Sequence, residues 1–207
     1  MTIQYFSEAS ESEIPNAPGL YAFFLDMLSP PKIGLAGRGP FSQEALGAAR
    51  QRLAARIGKQ LGLANHMRLE GEIGEAKPGG HLRRSYRLSA EYLVATEISQ
   101  EALHIDLADL RDFAELLSKC IGLERPIYVG ITCGQTFKQR YLQHKSDFYG
   151  VSSEEASFGT RFAHAGGEWD DLVFACIETD SDVFQSASLL RLERLVQSLT
   201  QPKFSLR

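Results

Sequence analysis

The side chains best suited to chemistry fall in three stretches. The first is Gly19-Leu20-Tyr21. The second is Tyr128-Val129-Gly130, followed by Phe137-Lys138-Gln139-Arg140-Tyr141-Leu142-Gln143-His144. The third holds Glu193, set in the mostly apolar run from Leu189 to Val196, nine residues before Pro202. Arg140 and His144 are four apart, so a helix puts them one turn apart on one face. The planar fork of Arg140 suits a phosphoryl transition state whose charge spreads over the equatorial oxygens. His144 can hydrogen-bond a phosphate oxygen or assist proton transfer. Glu193 offers one hard oxygen donor, enough to hold a Mg²⁺ whose remaining ligands are water and phosphate. A phenol, with a pKa of about 10, is a poor base unless a cation or metal-bound water assists it. Such a set contains what phosphodiester hydrolysis needs: an activated water, a sink for phosphate charge and a stabiliser of the departing oxygen.

The elements that would position these groups can be read from periodicity and punctuation. Residues 19–25 are an apolar strand entered through Pro15 and Pro18 and ended by Ser29-Pro30-Pro31. Leu46, Leu53, Ile57 and Leu61 share one helical face over 42–61, with Arg52, Arg56 and Lys59 on another. Residues 64–81 read as loop and 82–98 as one or two strands. A helix is expected over 107–120, with Asp106 as N-cap and Gly122 as stop. A strand over 127–132, a helix over 136–145, a Gly-bearing loop, a strand over 172–177 and a helix over 183–200 complete the chain.

In order and content the motifs resemble the GIY-YIG nuclease family, over residues 15–30 and 126–207. The resemblance implies an α+β fold, a small central antiparallel sheet flanked by helices. The nuclease core would be 1–34 and 124–207, and 35–123 a helix-and-strand insertion. It implies that Tyr21 and Tyr128 face one site from adjacent strands, Tyr21 being the expected proton acceptor. Arg140 and His144 would then act on phosphate, and Glu193 would bind Mg²⁺, with Mn²⁺ as substitute. The activity implied is hydrolytic cleavage of DNA, of a restriction or defence type. Two features depart from the family: the tyrosines are 107 residues apart, and Ser205 stands where the family has Asn. Lys32-Ile33-Gly34 is a rival second motif at hairpin spacing, and Tyr86 or Tyr92 could replace Tyr21. The alternative readings are a catalytically inactive module binding nucleic acid or protein, and an unrelated α/β enzyme whose motif strands are core strands.

A net charge of −4 argues mildly against a chain coated in nucleic acid, but its distribution is uneven. Residues 35–90 hold ten Lys/Arg against four Asp/Glu, whereas 91–125 hold three against eight. The basic segment makes Arg52, Arg56, Lys59, Arg83, Arg84 and Arg87, together with Lys138, the expected contacts to a DNA duplex. The acidic helix 107–120 would cover the core or form a homodimer contact. Three cysteines without C-x-x-C spacing suggest reduced thiols rather than disulfides or zinc. The absence of a long apolar run predicts no membrane span, and the expected location is the cytoplasm.

Overall fold

The computed structural model describes residues 2–64, 69–74, 85–90, 99–150, 157–179 and 186–205. The strands are β1 (Gln4–Phe6), β2 (Gly19–Leu25), β3 (Leu69–Gly74), β4 (Ser85–Ala90), β5 (Tyr128–Thr132) and β6 (Leu172–Glu178). The helices that matter here are α1 (Gln43–Ala64), α2 (Leu110–Lys119), α3 (Phe137–Phe148), α4 (Phe158–His164) and α5 (Ser186–Thr200). The class is α+β. Four strands form an antiparallel sheet in the order β1-β6-β2-β5, and β3 pairs with β4 in a separate two-stranded sheet.

The central strand β2 is apolar throughout yet its burial alternates strictly: Gly19, Tyr21, Phe23 and Leu25 are buried and the residues between them are half-covered. That is the period-2 signature of a strand with one face against the core. On this face Phe23 lies against Phe158, Trp169 and Phe174, and Trp169 Nε1 donates to Tyr141 Oη at 3.1 Å. Helix α3 starts at a reciprocal cap in which Thr136 Oγ1 accepts from the Gln139 amide and Gln139 Oε1 from the Thr136 amide. Its first residue, Phe137, is anchored by a hydrogen bond from its amide to the Ala17 carbonyl, just ahead of β2.

β5 is an edge strand, and its open side is covered by the C-terminal segment. The Phe204 amide donates to the Ile127 carbonyl at 2.8 Å, and Ser205 Oγ bonds both the amide (3.1 Å) and the carbonyl (3.2 Å) of Val129. The position expected to carry Asn thus clips the backbone of the Tyr-Val-Gly strand through a hydroxyl. Helix α1 packs a second apolar cluster, Ile33, Leu35, Ala49, Leu53, Ala102, Leu110 and Ala114. Its polar side grips the turn before β6. Asp171, fully buried, meets Arg56 Nη1 at 2.9 Å, Lys32 Nζ at 3.4 Å and Lys59 Nζ at 3.8 Å.

Several boundaries differ from expectation. The stretch read as loop over 64–81 contains β3, where Leu69, Gly71 and Ile73 alternate with polar residues opposite β4. The Gly-bearing loop after α3 contains α4, because Gly159 is packed against α3 rather than placed in a turn: a Cβ there would stand 2.1 Å from the His144 carbonyl oxygen. Helix α2 begins at Leu110; Asp106 instead accepts from the Ala108 amide in the preceding turn. Lys32-Ile33-Gly34, the rival motif, is a turn, with Gly34 at φ +87° and Ile33 wholly buried away from the sheet's strands. No helix among the described residues is long and apolar enough to cross a membrane.

Candidate functional site

A cleft of about 300 Å³ opens between α3, α4, α5 and the end of β5, lined by Tyr128, Arg140, Gln143, His144, Asp147, Ser157, Phe158, Arg161, Glu193 and Gln197. Tyr128, Arg140, His144 and Glu193 therefore share one cavity. Tyr21 lies one layer below it, 1 % exposed, on the strand paired with β5. The two tyrosine rings are 5.9 Å apart between centroids. The long stretch of chain between their strands does not separate them, because β2 and β5 pair directly with Tyr21 opposite Gly130.

Tyr21 connects the sheet to α3. Arg140 Nε donates to its Oη at 3.1 Å, and His144 Nε2 lies 2.9 Å from the same oxygen. Guanidinium nitrogens only donate, so the hydroxyl accepts from Arg140, and the direction of its bond with Nε2 follows the imidazole tautomer. Burial, and next the nearby Tyr128, push the Tyr21 phenol well above its usual range, against the opposing pull of Arg140. Tyr21 is therefore protonated at neutral pH. Burial, with Arg140 and Arg161 adding to it, drops the His144 pKa to about 3, so the ring is neutral. His144 Nδ1 is buried with no hydrogen-bond partner among the described residues.

Glu193 faces these groups from α5. Its Oε1 accepts from Gln197 Nε2 at 3.2 Å, and the same nitrogen lies 3.1 Å from the Val129 carbonyl, so Gln197 ties the carboxylate to β5. Burial raises the Glu193 pKa, with Arg140 and Arg194 offsetting only part of this. A half-buried carboxylate whose ionised form is held back by burial is a donor that a hard divalent ion would satisfy, so the residues fit Mg²⁺. A second acidic group, Glu168, Asp170 and Asp171, has ligand atoms within 4.8 Å of one another. Lys32, Arg56 and Lys59 already pair with these three carboxylates, which leaves little negative charge for a metal there.

Of the cations expected to contact DNA, the four whose side chains are described each have a partner within the protein, although Arg52 stays exposed. Arg52 Nε donates to the Ile33 carbonyl at 2.9 Å, Arg56 pairs with Asp171, and Lys59 pairs with Glu168. Lys138 Nζ reaches the Ser12 carbonyl at 3.3 Å. Arg87 is on β4 opposite Glu72, its side chain outside the described residues, as are Arg83 and Arg84 entirely. Tyr86 lies on β4, in the separate sheet, and Tyr92 is outside the described residues. Arg161, Gln143 and Gln197 were not anticipated from the sequence. Gln197 had a signal, since it lies one helical turn beyond Glu193, and Arg161 had none once its segment was read as loop.

Comparison with family models, curated proteins and solved structures gives no match to this chain.

Proposed function

We propose that the chain is a divalent-metal-dependent endonuclease of the GIY-YIG type, acting on DNA. One observation carries this reading. Tyr128, Arg140, His144 and Glu193 come from three separate elements and line one cleft, and Tyr21, directly beneath it, is hydrogen-bonded to both α3 residues.

In this reading Arg140, steadied by Tyr21 at Nε and by Gln143 Oε1 at 2.6 Å from Nη1, presents its fork to the scissile phosphate. Tyr128 replaces Tyr21 as the phenol that meets the attacking water, since it lines the cleft while Tyr21 is sealed beneath. Tyr21 is then a positioning residue: it fixes Arg140 and, through Nε2, the neutral His144. Glu193 and Gln197 hold the metal side of the cleft against β5. Mg²⁺ bound there would supply Lewis-acid stabilisation of the phosphate and of the departing 3′ oxygen. Arg140 and His144 keep the phosphate in line with the water.

The test is nicking of supercoiled plasmid with Mg²⁺ or Mn²⁺. Glu193→Ala and Tyr128→Phe should each reduce the rate by at least about 100-fold, the scale of losing a transition-state contact. Full activity in folded variants would refute the assignment. Ser205 in place of the family's Asn and the net charge of −4 favour a second reading, a nuclease-like module that binds nucleic acid or protein without cutting. DNA binding at low salt with no nicking under either metal would select it.

A further inference from the structure

Arg161 brings a second guanidinium to the cleft, from α4, in addition to Arg140 from α3. The Phe204 carbonyl accepts from Arg161 Nη2 and fixes the side chain at the wall. Both arginines line the same cleft as His144 and Tyr128. The cavity, about 300 Å³, is at the small end of ligand sites, the scale of one nucleotide rather than a duplex.

We propose that the cleft is a two-phosphate site, in which Arg140 and Arg161 hold adjacent phosphates of one strand and the ligand class is a nucleoside 3′,5′-bisphosphate. This deepens the nuclease reading and rests on it for the strand's identity. Arg140 takes the scissile phosphate and Arg161 the neighbouring one. The strand is thereby held on both sides of the bond to be cut, which fixes the line of attack better than a single contact. Two forks on separate helices also discriminate a strand from a free monophosphate, because only the strand can satisfy both.

The probe is thymidine 3′,5′-bisphosphate against thymidine 5′-monophosphate, titrated by calorimetry in EDTA so that the arginines are read without metal. The wild type should bind the bisphosphate at least about tenfold more tightly, a difference of about 1.4 kcal/mol. Arg161→Gln, which carries no charge and is too short to reach the Phe204 carbonyl, should lose that preference while circular dichroism shows the fold retained. Arg161→Lys should recover part of it. Equal affinity of the wild type for the two probes, or a preference retained in Arg161→Gln, overturns the proposal. Plasmid nicking separates the two readings: nicking with the preference retained in Arg161→Gln sinks the two-phosphate site alone. A preference that depends on Arg161, without nicking, sinks the nuclease.

Discussion

Gly130 lies directly across the β2–β5 ladder from Tyr21, and a Cβ at Gly130 would stand 2.6 Å from Tyr21 Oη and 2.7 Å from Cζ. The tyrosine of the first motif leans over the glycine of the second. Any side chain at 130 must push the Tyr21 ring, and with it the bonds to Arg140 and His144. Gly130→Ala should cost about 1–3 kcal/mol, the scale of overpacking in a dense core. Combined with Tyr21→Phe, which removes the closest atom, the loss should be less than additive. Urea unfolding of both single variants and the double checks this.

Glu193 must be ionised to hold a metal, and its pKa is raised by burial above the usual glutamate value. Metal-dependent activity should therefore rise with pH through that elevated pKa and fall on acidification sooner than for an exposed carboxylate. Arg194, exposed on the same helix, lowers the Glu193 pKa. Arg194→Ala should move the acid limb of the nicking profile to higher pH while leaving its plateau in place. An unmoved limb would assign the titration to another group.

Glu124 behaves differently, as a stability sensor. Burial raises its pKa to about 7, partly opposed by Gln60, whose Nε2 donates to both carboxylate oxygens at 2.9 Å. A folded-state pKa above the unfolded value gives stability that is complete below about 4.5 and lost as pH rises through 7. Glu124→Gln keeps the bond from Gln60 and removes the titration. Its stability relative to wild type should increase from pH 5 to pH 8 by on the order of 1 kcal/mol, allowing for screening of a part-exposed group. Thermal unfolding across that range gives the comparison.

Asp171 is wholly buried and balances Arg56, Lys32 and Lys59. Asp171→Asn leaves these cations without their shared counter-charge and should destabilise the fold by about 3 kcal/mol, the lower end for breaking a buried pair. Guanidinium denaturation measures it. A loss below about 1 kcal/mol would mean that solvent already satisfies the lysines and arginine.

The parts of the fold legible in the sequence were those whose signals are local. β2 shows as an apolar run after Pro18, and α3 as the helix expected over 136–145 behind the Tyr-Val-Gly strand. Gly159 misled because a glycine needed for close helix contact has the same composition as one in a turn, and only the backbone of α3 distinguishes them. The basic face of α1 was visible, but its partners were not. Glu168 and Asp171 lie more than a hundred residues downstream, and pairing at that range leaves no periodic trace. Type and order singled out Tyr128, Arg140, His144 and Glu193, which line the candidate cleft, whereas Tyr21's place beneath it depends on the missing side chain at Gly130.

The clip of Ser205 on Val129 and the approach of Glu193 and Gln197 from α5 also have a meaning in time. A chain emerging from the ribosome delivers both tyrosines and the Arg140 fork well before the carboxylate and the strap that covers β5. Until α5 has been made, the cleft lacks Glu193 and Gln197. Synthesis from N- to C-terminus thus delays assembly of the site until the scaffold beneath it has been made.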